Sequence, residues 1–494
     1  MKAKRKKVCV IGAGVSGLAA AKCFKQQGHD VAVLDRGPDL GGVWDPSRSY
    51  PDVQTQSPKE LYRFTDQPMP ESYPEWPKGA QVHAYLLRYA DDHGLRDLIR
   101  TGATVSALER DAGGGWHVTQ QRDSKETREY YDFVAVCTGQ FSEVHRPDFP
   151  GSKTFEAGGG TVLHSSEYTD PAVVKGRNVV VLGFSKSATD IAVSAVKAGA
   201  AGVAIVYREP MWRIPYFIGG LINFKRILYI RAQENMFPAW AQTSMQRFNH
   251  AVAKPFIWAN WRALESLLDM QLGLGRLGMK PKTRIEDGIN CSVPIVTPGF
   301  FEMVRDGRIK AYQGTFAGYR AGSVRLTGGQ QLAADVAILA TGWKQGVPFL
   351  SPADRQKLIE PDGQYRLYRN IANPDLPDLG FVGFNSSFAT VLCADLAAHW
   401  LVRYADGQLA KQPTAAEMRD NIATMLDWRR NERPAAGGYG GLCIAPYHFK
   451  HFDELLDDIG ASERRRNPLA ERLTPPNADA YARYLRSAPR YEIA

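Results

Sequence analysis

Val8-Cys9-Val10-Ile11-Gly12-Ala13-Gly14-Val15-Ser16-Gly17, then Leu18 to Gln27, then Val31-Ala32-Val33-Leu34-Asp35, is the stretch that decides the fold. The opening apolar run predicts a short buried strand, Leu18 to Gln27 a helix, and Val31 to Leu34 a second strand. Between them, Gly-x-Gly-x-x-Gly has the spacing of a βαβ dinucleotide site. Gly12 makes the tight turn, Gly14 lets backbone approach a pyrophosphate, and Gly17 lets the helix pack closely on the strand. The helix N-terminus faces the phosphates. Asp35, 18 residues beyond Gly17, is placed to accept hydrogen bonds from ribose hydroxyls. A glycine loop alone is common. Set between strand, helix, strand and acid, it is specific.

A degenerate copy follows. Asn178-Val179-Val180-Val181-Leu182 reads as a strand, Gly183-Phe184-Ser185-Lys186-Ser187-Ala188-Thr189-Asp190 enters a helix, and Val203 to Tyr207 ends in Arg208. Ser185 and Ala188 stand for the second and third glycines and keep the turn tight. Arg208 in place of an acid removes repulsion toward a 2′-phosphate and offers a planar donor fork, which favours NADPH. Gly183, Ser185, Lys186, Ser187, Asp190 and Arg208 are the candidate residues of this second site. Two Asp-led apolar strands, Asp132 to Val136 and Asp335 to Leu339, run into Thr138-Gly139 and Thr341-Gly342. Such strands close a nucleotide domain where the chain crosses to its neighbour. The expected fold is α/β: two doubly wound Rossmann-like dinucleotide-binding domains, one inserted in the other, with a helical insertion. The first domain takes residues 1–168 and 343–494, including a C-terminal helical region, and the second takes 169–342.

The chain has 494 residues, about three domain-sized units. At 44% hydrophobic and 23% charged it is neither disordered nor fibrous. Basic residues exceed acidic ones by nine, partly in the leader Lys2-Ala3-Lys4-Arg5-Lys6-Lys7, which reads as a solvated arm rather than a nucleic-acid site. No signal peptide or run of about 20 apolar residues is present, so a cytoplasmic enzyme is expected. Cys9, Cys23, Cys137, Cys291, Cys393 and Cys443 show no paired spacing and read as buried thiols in a reducing compartment.

With these pieces in place the chain resembles the flavin-containing monooxygenases, including their Baeyer–Villiger relatives, from Val8 to about Gly460. Gly41-Gly42-Val43-Trp44 looks like the family's Gly-Gly-x-Trp, and Gln54-Thr55-Gln56-Ser57-Pro58-Lys59-Glu60 resembles its segment beside the flavin. Asp378 to Phe384 is similar to the strand that closes the flavin site. Gly160 to Tyr168 fits the second half of the identifying motif Phe-x-Gly-x-x-x-His-x-x-x-(Tyr/Phe/Trp), whereas Phe155 lies five residues before Gly160 instead of two. The resemblance makes His164 part of a hinge between domains. It implies noncovalent FAD held by Gly12, Gly14, Ser16, Gly17, Asp35, Gly42, Val43, Trp44, Thr55, Gln56, Val105, Thr138, Gly139, Thr341 and Gly342, with NADPH on the second loop. Lys186 stands where many members have Asn and adds attraction toward the phosphates. Gln56 replaces an asparagine thought to help hold the C4a-(hydro)peroxyflavin, and Gln56 and Tyr168 are the candidate catalytic residues.

The implied reaction uses NADPH and O₂ to oxygenate a small organic substrate. Tyr168 in place of Trp favours a nucleophilic nitrogen or sulfur over Baeyer–Villiger insertion at a ketone. An NADPH oxidase or flavin-binding redox partner stays open because of Gln56 and Lys186. Disulfide reductase chemistry lacks its cysteine pair. No metal is expected, and His448 and His451 read as a surface pair. Residues 214–280 mix aromatics (Tyr216, Phe217, Phe224, Tyr229, Phe237, Trp240, Phe248, Phe256, Trp258, Trp261) with arginines and a lysine. A helical lid over the substrate is favoured there; a homodimer contact and a membrane-docking surface are the other two readings. Pro294 to Lys310 and Thr315 to Leu326 read as strands.

Overall fold

Runs such as Val8 to Ile11 and Val179 to Leu182 are apolar at every position, which fits parallel strands covered on both faces. The computed structural model describes residues 4–289, 294–461 and 468–493. Two five-stranded sheets form around these runs. The first has the order Leu379–Phe381, Phe133–Val136, Lys7–Ile11, Asp30–Leu34, Ile99–Arg100, and every pairing is parallel. The second has the order Ile309–Gln313, Gly202–Tyr207, Asn178–Leu182, Val336–Leu339, Thr161–His164, again parallel throughout. Val8, Val10, Val180 and Ile338 are fully buried.

Each sheet carries the same accessories. A three-stranded antiparallel sheet precedes the Asp-led strand in both: Thr104–Arg110, Trp116–Arg122 and Lys125–Tyr131 in one, Phe316–Arg320, Ser323–Leu326 and Gln331–Ala333 in the other. The leading acids have matching roles. Lys7 N donates to Asp132 Oδ2 at 2.7 Å, and Asn178 N donates to Asp335 Oδ2 at 2.7 Å. Each carboxylate thus satisfies the first amide of the central strand beside it.

Three sequence expectations need correction. The boundary at 168 is too late: Thr161–His164 pairs with Val336–Leu339, so it belongs to the second sheet. The crossing lies at Glu143–Val144, which pairs antiparallel with the return crossing Trp343–Lys344. Phe300–Arg305 is a helix, and the strand after it starts only at Ile309. Cys9, Cys23, Cys137 and Cys393 are buried free thiols, but Cys443 is disulfide-bonded. Cys291 lies outside the described residues, as does the start of the basic leader.

The insertion comprises the hairpin Phe217–Ile218/Ile222–Asn223, two short helical turns and the long helix Ser244–Leu272. Thr243 caps that helix, its hydroxyl accepting from Gln246 N while the Gln246 side chain accepts from Thr243 N. Gly273, with φ of 69°, ends it in the left-handed conformation. Phe224, Phe237, Trp240 and Trp261 enter the core of the second domain, as aromatics at helical spacing usually do. Phe248, Phe256 and Trp258 do not; each is more than half exposed. Among the described residues no helix is long and apolar enough to cross a membrane.

Candidate functional site: two facing glycine loops

The first loop is held by contacts that only glycine allows. Gly12 has φ of 109°, and a Cβ there would lie 2.6 Å from the Cys137 carbonyl oxygen. At Gly17 a Cβ would sit 1.7 Å from Gly12 O, so helix and strand touch backbone to backbone. Gly14 differs: its nearest neighbour is Gly42 Cα, 3.5 Å from a built Cβ. Gly41 N donates to Ala13 O at 3.0 Å, fixing the Gly41-Gly42 turn against the loop. Two side-chain-free surfaces thus form a cradle before a helix N-terminus, the arrangement a pyrophosphate requires. Gly383 closes over it, since a Cβ there would meet Ser16 Oγ at 2.1 Å.

Around this cradle stand the other predicted residues. Asp35 is buried and accepts from Ala13 N at 2.6 Å and Gly37 N at 2.7 Å, so it braces the loop while each oxygen keeps a lone pair. Val43 is exposed; Trp44 is buried and donates through Nε1 to Tyr62 Oη at 3.0 Å. Val105 is half-buried, on the segment that Ala103 N ties to Asp35 O. Thr55 Oγ1 and Thr138 Oγ1 are buried without a partner among the described residues, and the space beside Gly139 is open. Two orphaned hydroxyls and a glycine cradle fit a bound dinucleotide. Gln56 is exposed, and its Oε1 accepts from Ile295 N at 3.1 Å, while its amide N–H groups have no partner among the described residues.

The second loop repeats the first. Gly183 has φ of 136°, and a Cβ there would lie 2.4 Å from Ala340 O, the counterpart of the Cys137 contact. Ser185 begins the helix Lys186–Lys197 and is exposed; Ser187 Oγ lies 3.5 Å from Ser185 Oγ. Arg208 is exposed just past the strand Gly202–Tyr207, its carbonyl accepting from Gln313 Nε2 at 3.0 Å.

Lys186 departs from its expected role. It is buried, and its ammonium pairs with Asp190 Oδ1 instead of reaching toward phosphates. Burial holds that ammonium below its ordinary pKa, against the pull of Asp190. Asp190 also accepts from Tyr50 Oη at 2.9 Å and from Thr297 Oγ1, so it links the first domain to the second loop. Arg213 is fully buried below, stacked over Phe184 and donating to Phe184 O. Burial lowers its pKa to about 9. Sequence reading missed Tyr50, Arg213 and Thr297, because their role comes from partners more than 20 residues away.

Tyr168 needs correction as a catalytic residue. It is fully buried in the core of the second domain, Oη 3.4 Å from Ser194 Oγ, so it packs rather than touching a ligand. His164 is also buried; its Nε2 donates to Gly342 O at 3.1 Å and its Nδ1 accepts from Ser166 Oγ at 2.8 Å. Desolvation lowers its pKa, which suits this neutral tautomer at the crossing. Phe155 lies against Gly160, where a Cβ would be 2.5 Å from its ring, so the longer loop still joins the two motif residues. His448 and His451 are not a surface pair. Both are buried, and desolvation lowers each pKa to about 3. Cys23, Asp395 and His399 form a metal-like cluster, but Lys22 Nζ lies 3.9 Å from Asp395 Oδ1 and would repel a divalent ion.

Comparisons with known proteins agree with this geometry. A probable flavin-containing monooxygenase 1 of Arabidopsis thaliana is 29% identical, covering 96% of each chain. Flavin-containing monooxygenase 5 of Homo sapiens is 28% identical over 85% of this chain and 76% of its own. Among solved structures, S-allyl-L-cysteine S-oxygenase from Allium sativum superimposes with a TM-score of 0.63 at 20% identity, covering 94% and 91% of the two chains. A cyclohexanone monooxygenase does so with 0.68 at 18% identity, covering 92% and 98%. The sequence profile of the flavin-binding monooxygenase-like family matches residues 5–462, and the chain belongs to that family.

Proposed function

We propose that the protein is an NADPH- and O₂-dependent FAD monooxygenase that oxygenates a nucleophilic nitrogen or sulfur of a small organic substrate. The observation that carries this reading is the pair of matching glycine loops, one ending in Asp35 and the other in Arg208. FAD, when bound, supplies the redox and oxygen chemistry, and the chain supplies binding and orientation. The Gly14/Gly42 cradle and the helix Val15–Gln26 would take the flavin dinucleotide's pyrophosphate, with Thr55 and Thr138 hydroxyls as further partners. The second loop would hold NADPH, with Arg208 reading the 2′-phosphate. Gln56 offers its amide N–H beside the flavin segment, while Ile295 fixes its carbonyl. The insertion supports a lid role: Tyr216 and Phe224 pack on Trp76, over the segment that carries Gln56.

The reading is supported by a sulfur-oxygenating protein among the structural neighbours. A panel of tertiary amines, sulfides and ketones tests it, with oxygenated product and hydrogen peroxide both measured against NADPH consumed. Amine or sulfide oxides at close to one per NADPH are expected. Lactones or esters as the main product would move the reading to ketone insertion. Peroxide matching NADPH with every compound would make the protein an oxidase.

A further inference from the structure

Two buried cations and one buried carboxylate lie beneath the second glycine loop: Arg213, Lys186 and Asp190. Lys186 pairs with Asp190 Oδ1, and Asp190 Oδ2 accepts from Tyr50 Oη at 2.9 Å, so that carboxylate is engaged. Arg213 is 0% exposed and makes no ion pair among the described residues; its Nε has no acceptor among them. With a pKa of about 9 it is still cationic at neutral pH. An unpaired charge in the interior is costly to keep. This one stands where a counter-charge can arrive from outside.

The direction of its donors shows how. Nη2 donates to Phe184 O and reaches Ser185 O at 3.5 Å, while Nη1 donates to Thr189 Oγ1 at 3.3 Å. Phe184 O and Ser185 O belong to the peptides whose amides are Ser185 N and Lys186 N. In a trans peptide the C=O and the N–H point in opposite directions. Both amides therefore point away from Arg213, at the start of the helix Lys186–Lys197, and neither has an acceptor among the described residues. A cation on the carbonyl end polarises such a peptide and makes its N–H a stronger donor. The first loop is built the other way. Ala13 O, the counterpart of Phe184 O, takes the neutral amide of Gly41 at 3.0 Å, and Ala13 N sits on the Asp35 carboxylate at 2.6 Å. An anion braces the first loop and a cation the second.

We infer that Arg213 is a positioning residue for the nicotinamide dinucleotide: without touching it, Arg213 strengthens the second loop's grip on the pyrophosphate through the peptides Phe184–Ser185 and Ser185–Lys186. The inference rests on the NADPH reading of that loop. It divides the labour between two arginines. Arg208 reads the 2′-phosphate, which only NADP carries, and Arg213 serves the pyrophosphate that NADP and NAD share.

The test is calorimetric titration of the full FAD-loaded protein with NADP⁺, NAD⁺ and 2′-AMP, which has the 2′-phosphate but no pyrophosphate. Arg213→Gln keeps a donor for Phe184 O and removes the charge; Arg213→Met keeps the bulk and removes both; Arg213→Lys keeps the charge. Both neutral variants should raise the dissociation constants of NADP⁺ and NAD⁺ by the same factor, about tenfold, and leave 2′-AMP unchanged. Arg213→Lys should stay within about threefold of the parent. Arg208→Ala should show the opposite pattern, weakening NADP⁺ and 2′-AMP but not NAD⁺. If one neutral variant fails to retain FAD, the other carries the comparison. Three results would overturn the inference: parent-like NADP⁺ binding in a neutral variant, loss of 2′-AMP in the same proportion as NADP⁺, or Arg213→Lys binding no better than Arg213→Gln. The second would make Arg213 a support of the fold, and the third would make it a hydrogen-bond donor whose charge is idle. A parent protein that binds neither dinucleotide would instead remove the NADPH reading of the loop, and this inference with it.

Discussion

Gly14 and Gly17 sit three positions apart and fail in opposite ways. Gly17→Ala would force a Cβ onto Gly12 O, and backbone has no room to yield, so misfolded or aggregated protein is expected on expression. Gly14→Ala meets only Gly42 Cα at ordinary contact distance, so that variant should fold with the unfolding midpoint of the flavin-free parent yet purify colourless. A yellow Gly14→Ala protein would show that the pyrophosphate lies elsewhere. At Arg208 the expected effect is on discrimination: Arg208→Ala should raise the NADPH dissociation constant about thirtyfold, most at low salt, and leave NADH nearly unchanged. Equal weakening of both cofactors would make Arg208 structural. Lys186 calls for a double-mutant cycle. Removing either partner of the buried Lys186–Asp190 pair leaves an uncompensated charge, at a cost of about 3–5 kcal/mol, whereas Lys186→Met with Asp190→Asn should recover most of it. Strictly additive losses in urea unfolding would rule the pairing out. The glycine roles were legible from spacing alone, because they depend on neighbours within the same loop. The fate of Lys186 was not: Asp190 is only four residues on, but the groups that hold Asp190 in place, Tyr50 and Thr297, lie more than 100 residues from it.

The helix His448–Asp458 shows how an element hides its own environment. Its two histidines read as exposed from a charged, polar stretch, yet both face the interior, His451 at 3.0 Å from Asn385 Nδ2 and His448 beside Phe449 and Phe452. Their folded pKa values of about 3 lie below the unfolded value near 6.5, so the unfolded chain binds more protons between those limits. Stability is therefore fully present above about pH 6.5 and falls as pH drops toward 3, by about 1.4 kcal/mol per histidine per pH unit. Chemical unfolding at pH 7 and pH 5 should differ by several kcal/mol, and His451→Gln should reduce that difference. An unchanged pH dependence in His451→Gln would assign the acid sensitivity to other groups. The long helix carries a related lesson. Its aromatics were visible in sequence, but only the packed partner reveals which of them the core takes. Trp261 is enclosed and Phe256 is not, though both suit either face.

Across the whole molecule, the interleaving of two nucleotide folds was legible because the Asp-led strands announce both crossings. The position of the first crossing was missed, since Thr161–His164 is a four-residue strand whose sheet is chosen by pairing rather than by composition. The outer fold also has an awkward dependence. Its edge strand Leu379–Phe381 and its covering helix Thr390–Ala405 are made about 240 residues after the strand Phe133–Val136 that they complete. Proteins usually mature from the amino end during synthesis. Here the inner fold has all its strands once residue 339 has emerged, while the earlier-made outer fold still lacks a wall. The later-made fold is therefore expected to mature first during synthesis. In an arrested-synthesis series, protease resistance should appear over the inner fold well before the segment around Gly14 is protected, and flavin can be captured only near the end of translation.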